Sequence, residues 1–421
     1  MTKILKLAAV IMIMSLALGA NMVVAQNEVY RAPEGKKIYI PKDLRDNDFG
    51  DPESKWSYAR CAYTDDIIVF WEKPFGPDLA KAPDLDGHNM KVDLDNLLRR
   101  LQLYYNVYKN DMEFIRPNSN ADRYRMMVML NYSLEGTAYG GDYDRVIGAL
   151  WIAPNRVQDK KLNCVAHELG HSFQSMIVCD RQGESWGGGG IFEMTSQWML
   201  FNVNPEWPTD ENYHWQAFIK DANLRFLAGE NIYRSPYMLE YWSMKHGLKV
   251  IADLFRAGRR GDDPAKTYMQ MFGLTPRDFA LEAVDCYSRL LTFDFPDKHE
   301  ANKKYAGEFL NDKDLQTYGA NVIKLPYAGR KKLTLKFSGQ NKTDGYAYRL
   351  VAVDADGRAT YGKISTLPKG RQKIRVPKDA TGVYLVVTGY PLGDYESYTF
   401  YGRRDNSARS STVYRYTYEV E

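Results

Sequence analysis

His167-Glu168-Leu169-Gly170-His171 sets two imidazoles four residues apart, with a carboxylate directly after the first. On an α-helix this spacing turns both rings to one side, one turn apart in height, where they can grip a single metal ion. Glu168 stands about 100° round the helix from His167, within reach of a water on that ion without occupying a ligand position. The chemistry this permits is hydrolysis: zinc lowers the pKa of water toward 7 and polarises a carbonyl, while the carboxylate takes the proton and later returns it. Only 6 histidines occur in 421 residues, so a pair in this register stands out.

A catalytic zinc ion takes three protein ligands and keeps one position open. A third His following the pattern would require Gly at 174 and His at 177, but these positions hold Gln174 and Ile177. The carboxylates downstream are Glu184, Glu193, Glu206 and Glu211. Glu184 falls in a loop, whereas Glu193 falls in the helical stretch IFEMTSQWMLF, and a rigid element holds a ligand better than a loop. Glu193 is therefore the expected third ligand, with Glu184 and Glu206 as the alternatives. A structural zinc site drawing on Cys164 or Cys179 is disfavoured, because such a site has no use for a base beside its first ligand. Asn163, one turn before His167, is a candidate partner for a ligating ring.

Hydrophobic periodicity places these residues on elements. Residues 57–72 read as a strand entering from a loop, and Val92–Lys109 as a core-facing amphipathic helix. Strands are expected at Tyr124–Tyr132 and Val146–Ala153, separated by the Gly-rich GTAYGGDYD, followed by a long helix at Leu162–Val178 that carries the motif. A loop ending in Gly187–Gly190 leads to a helix at Ile191–Val203; further helices are expected at His214–Leu227, Pro236–His246, Lys249–Ala257, Pro264–Phe272 and Thr275–Leu290. Beyond a Pro-, Asp- and Lys-rich stretch, β alternation dominates. The expected fold class is α+β, with a small mixed sheet plus helices in residues 26–300, a linker at 301–315 and a C-terminal β-sandwich at 316–421.

The first 25 residues read as a secretory signal peptide, with Lys3 and Lys6 ahead of an apolar run from Leu7 to Leu18 and small residues ending at Ala25. No later stretch reaches the roughly 18 apolar residues of a transmembrane helix, so an exported protein is expected, periplasmic or secreted. With 56 Lys plus Arg against 53 Asp plus Glu, the net charge of +3 is too small for a nucleic-acid footprint. Cys61, Cys164, Cys179 and Cys286 are too few for a disulfide scaffold; burial as small residues or pairing with distant partners is expected.

The segments NCVAHELGHSFQ (163–174) and GGGGIFEMTSQWM (187–199) resemble the zinc-binding core of the gluzincin, or thermolysin-like, metallopeptidases. The chain is closer still to a family of secreted, largely uncharacterised Bacteroidetes-type zincin-like proteins carrying H-E-x-G-H-x-x-Q and then E-M-T-S-Q-W. The resemblance implies one zinc ion on His167, His171 and Glu193, with Glu168 as general base. It implies a downstream Tyr or His that stabilises the oxyanion, for which Tyr237, Tyr241 and His246 in PYMLEYWSMKHG are the candidates. It also implies an edge strand that pairs with extended substrate; Gly148–Pro154 is the candidate, with the main chain at Ala149 binding and Trp151 shaping the cleft. One departure is Gln197, where thermolysin-like enzymes place an Asp that supports a metal-ligating His.

Two functions follow as expectations. The first is an exported zinc peptidase acting on proteins or glycoproteins; the second is a catalytically weak zincin-like protein that binds glycan or protein through its cleft or its β domain. The intact Glu168 favours the first.

Overall fold

A computed structural model describes residues 30–136, 138–189, 191–397 and 412–421. The expected signal peptide at 1–25 lies outside these residues. Among them, no helix is long and apolar enough to cross a membrane. The chain is a mixed α and β protein that divides into two compact units: residues up to Asn106 with Ile115–Cys179, and Val107–Phe114 with Asp180–Glu421.

The first unit is built on a five-stranded sheet made of β1 (Cys61–Tyr63), β2 (Ile67–Trp71), β3 (Met126–Leu130), β4 (Ala138–Tyr143) and β5 (Ile147–Ile152), in the order β1-β2-β3-β5-β4. β2, β3 and β5 run parallel, and β1 and β4 flank them antiparallel. β2 and β3 are apolar and buried at every residue, as interior parallel strands must be. Helix α1 (Leu94–Asn106) buries Leu97, Leu98, Leu101, Tyr104 and Tyr105. Helix α2 (Asn163–Cys179) carries the motif and packs on β4 and β5; Phe173 of α2 meets Tyr105 of α1 edge-on at 5.1 Å.

β4 is the element that periodicity missed, because Gly140-Gly141 interrupts any apolar alternation. It is joined to β5 by a turn in which Asp144 and Arg145 both take positive φ, closed by Val146 N–H donating to the Tyr143 carbonyl at 2.9 Å. Two positive φ values in succession match the twist of an antiparallel pair. The two glycines that face the helix set its distance from the sheet. A Cβ on Gly140 would lie 1.7 Å from the Glu168 carbonyl oxygen, and one on Gly148 would lie 2.9 Å from that of Ser172. The Ser172 hydroxyl then donates to the Ala149 carbonyl at 2.7 Å, tying α2 to β5.

The second unit contains helices α3 (Ile191–Val203), α4 (Asn212–Asp221), α5 (Tyr237–His246), α6 (Val250–Ala257), α7 (Pro264–Phe272) and α8 (Pro276–Leu290). Two antiparallel sheets follow. One is β10 (Lys369–Arg375), β7 (Lys332–Gly339), β12 (Tyr416–Val420); the other is β6 (Asn321–Leu325), β11 (Gly382–Pro391), β8 (Asp344–Val353), β9 (Ala359–Tyr361). Leu333, Leu335 and Phe337 of β7 share one apolar cluster with Tyr346, Tyr348, Leu350 and Ala352 of β8 and with Val383, Leu385 and Val387 of β11. Alternate residues of β7 point away from it, whereas β8 and β11 are almost wholly buried because α8 covers their other face.

That packing moves the expected boundary. Residues 301–315 do not separate the sheets from the helices; the chain divides at Cys179/Asp180 instead. Arg349 of β8 forms an ion pair with Asp285 of α8, and the Tyr287 hydroxyl donates to the Tyr318 carbonyl at 2.9 Å. Helix α4 also ends earlier than expected. Asn223 and Arg225 leave the helix to bind Gln316, whose N–H donates to the Asn223 carbonyl and whose Oε1 accepts from Arg225 N–H. No disulfide joins any of the four cysteines, and burial pushes the Cys61 thiol up to about 12.

Candidate metal centre

Helix α2 begins after Leu162, which takes a φ of 52° and donates its N–H to Asp159 Oδ1 at 2.6 Å. From there the helical period carries His167 and His171 onto one side. Their rings lie 4.8 Å apart and nearly perpendicular, and their Nε2 atoms are 3.2 Å apart. Among the described residues, His167, Glu168 and His171 form the one group of potential metal ligands whose donor atoms all lie within 4.8 Å of one another. His167 is buried; Glu168 and His171 are half-buried.

The donor set fits zinc. Two nitrogens each about 2.0–2.1 Å from a tetrahedral ion stand about 3.3 Å apart, close to the separation seen. The tautomer fits as well. His171 Nδ1 lies 3.1 Å from Oε1 of the fully buried Gln174, so with that oxygen accepting, Nδ1 carries the hydrogen and Nε2 presents its lone pair. Gln174 both breaks the third-His pattern and ends the H-E-x-G-H-x-x-Q signature. One helical turn from His171, it supports the ring.

Glu168 is held from the strand side. Its Oε2 accepts the main-chain N–H of Gly140 at 2.8 Å. Neither residue type at position 140 nor its distance in sequence signals this contact; it needs the β4 edge beside α2.

A profile described as a family of unknown function (DUF6055) matches residues 31–421. The chain belongs to the DUF6055 family. No curated protein matches it. Among solved structures, it is similar to the ZmpB metallopeptidase from Clostridium perfringens, at 17% identity and a TM-score of 0.33, covering 80% of this chain and 67% of that one. It is also similar to the M60 catalytic domain with the CBM51-1 and CBM51-2 domains of Clostridium perfringens ZmpB, at 18% identity and a TM-score of 0.34. That match covers 81% of this chain and 36% of the other.

In this DUF6055 protein, the expected substrate strand is displaced by one position in the sheet. β5, with Ala149 and Trp151, lies between β3 and β4, so its main chain is paired on both sides; among the described residues the edge is β4. Side chains alternate across a strand. Gly148 faces α2, so Ala149 and Trp151 face the opposite side of the sheet from the motif, and Trp151 does not shape its surroundings. Trp151 instead donates Nε1–H to the Tyr143 hydroxyl at 3.1 Å and lies beside the exposed Tyr139.

The remaining candidates lie in the second unit. Glu193 occupies the first turn of α3 and is half-buried. Glu184 accepts from Arg260 N–H at 3.1 Å, and Glu211 from Trp207 Nε1–H at 2.9 Å. Gln197 lies one helical turn after Glu193 on α3. Its Nε2 donates to the Tyr233 carbonyl at 2.8 Å and lies 3.3 Å from His214 Nε2.

Tyr237 is fully buried among Phe201, Trp215, Phe218 and Phe293, and burial pushes its phenol well above the ordinary range. Such a ring packs a core and has no opening through which to meet an oxyanion. Tyr241 donates to Asp285 Oδ2 at 3.0 Å. His246 stacks on Phe272 at 3.9 Å and places Nε2 2.9 Å from the Tyr268 hydroxyl. The Tyr268 hydroxyl donates onward to Glu282, so His246 serves a packed polar chain within this unit.

Proposed function

We propose that this DUF6055 protein is an exported zinc-dependent peptidase that hydrolyses peptide bonds of proteins or glycoproteins. The observation that carries the reading is the 3.2 Å approach of the His167 and His171 Nε2 atoms with the Glu168 carboxylate beside them. His167 and His171 would hold the ion, and Glu193, in the first turn of a helix that follows a glycine run, is proposed as the third ligand. A zincin-like fold is supported by an antiparallel edge strand lying against the motif helix. A C-terminal β-sandwich is supported by the apolar cluster that the two sheets share. Export is supported by the signal-like pattern of residues 1–25.

Zinc, when bound, supplies positive charge that acidifies water and polarises a carbonyl. Glu168 accepts the proton from the attacking water at its carboxylate and passes it to the nitrogen of the leaving amine. The buried Gln174 oxygen keeps the hydrogen of His171 on Nδ1, leaving Nε2 to ligate. An extended substrate strand would lie along β4, whose outer side has no strand neighbour among the described residues.

The test is cleavage of a broad library of peptides and glycopeptides by the zinc-loaded mature protein. Cleavage abolished by chelation and restored by zinc is expected. Should the zinc-loaded protein leave every member intact, it is a binding protein and not a peptidase.

A further inference from the structure

The N–H of Gly140 points at Glu168, away from the paired strand β5. Among the described residues β4 ends the sheet, and main-chain N–H groups along an antiparallel strand alternate between its two sides. The Gly140 donor therefore lies on the open side, where an added strand would seek it. Glu168 Oε2 already fills it at 2.8 Å. A carboxylate accepting from a main-chain N–H makes a charge-assisted bond, stronger than a neutral one. The contact exists only because position 140 lacks a side chain, since a Cβ there would lie 1.7 Å from the Glu168 carbonyl oxygen.

We propose that the Gly140 N–H is a substrate-displaced latch on Glu168. While the β4 edge is open, the carboxylate is held on the strand. An extended polypeptide pairing with β4 accepts the Gly140 N–H at one of its own carbonyl oxygens and releases the Glu168 carboxylate from the strand. Ala138 and Asp142, two residues to either side, present their main-chain groups on the same side and complete the pairing. The ligand is thus a polypeptide recognised through its backbone in extended form. That identity rests on the peptidase reading, whereas the latch itself rests on the Gly140–Glu168 contact.

The test uses the full-length zinc-loaded protein with E168A and E168Q, neither of which removes a proposed zinc ligand. Gln offers an amide oxygen to Gly140 and keeps the latch; Ala removes it. In selectively 15N-glycine-labelled protein, the Gly140 amide should exchange with solvent about tenfold faster in E168A than in wild type or E168Q. Fluorescein-labelled oxidised insulin B chain, followed by anisotropy, should bind E168A about tenfold tighter than E168Q, because no acceptor competes for the donor. Equal Gly140 exchange in E168A and wild type overturns the proposal. So does insulin B chain binding that is equal or weaker in E168A, absence of binding to both included. Failure of the peptidase reading alone looks different: the exchange difference persists while wild type leaves the insulin B chain uncleaved.

Discussion

The carboxylate of Glu168 and the main-chain N–H of Gly140 meet at 2.8 Å, joining the motif helix to the edge of the sheet. The two backbones approach so closely that an added methyl at 140 has no room. Gly140→Ala should therefore push α2 away from β4. Overpacking of this kind costs about 1–3 kcal/mol, and the clash here is with backbone, so the upper part of that range is expected. Thermal unfolding reads the result, and an unchanged Tm would show that the helix and strand are not in this contact.

Gln174 supports His171 through Nδ1 at 3.1 Å. Removing such a partner typically weakens metal binding by about 10–100-fold. Gln174→Ala should lose zinc to a competing chelator at correspondingly lower chelator concentration while its far-UV circular dichroism stays the same. Zinc affinity equal to wild type would deny Gln174 its supporting role.

Within the second unit, Lys298 and Glu240 form a buried ion pair at 3.8 Å, with side chains 4% and 5% exposed. Trp198 Nε1–H and Asn202 Nδ2–H also donate to Glu240 Oε2. Lys298→Met leaves the carboxylate buried without its cation, a change that costs about 3–5 kcal/mol. Lys303→Met breaks the exposed pair with Glu300 and should leave the unfolding midpoint nearly unchanged. Denaturant unfolding of the two variants should separate them clearly; similar losses would mean that the Lys298 charge contributes little.

His246 gives a pH dependence. Burial first, and then the Lys245 charge, lower its pKa below the ordinary 6.5, against a smaller opposing effect of Glu282. The neutral ring is thus favoured in the folded state. Its contribution to stability is fully present above pH 6.5 and is lost as pH falls through the lowered value. The Tm of wild type should fall more steeply than that of His246→Gln below pH 6.5, and parallel slopes would remove His246 from the account.

Much of the candidate metal site was legible in the sequence, because His167, Glu168 and His171 sit within one helical turn and a half, where spacing alone fixes geometry. The residues that complete it were less legible. Gln174 is local, yet its role depends on which ring nitrogen faces it. Gly140 is joined to Glu168 only through strand order, and its lack of a side chain, which makes the contact possible, also hid β4 from any alternation pattern. Trp151 failed as a cleft residue for a related reason: β5 looked like an edge until β4 took that place. Tyr237 reads the same in sequence whether it faces solvent or a core, and only the rings of Trp215, Phe218 and Phe293 around it decide. The polar stretch at 301–315 read as a linker, and its composition gave no sign of the ion pair of Arg349 with Asp285 that binds β8 to α8.

The central claim is that His167 and His171 hold zinc for hydrolysis in which Glu168 moves the proton. Its most direct test compares wild type with Glu168→Gln, measuring zinc content and turnover of a peptide found to be cleaved. Both proteins should carry about one zinc per chain, with turnover in Glu168→Gln lower by at least about 10²-fold. Equal turnover in the two, or a wild type that binds no zinc, would contradict it.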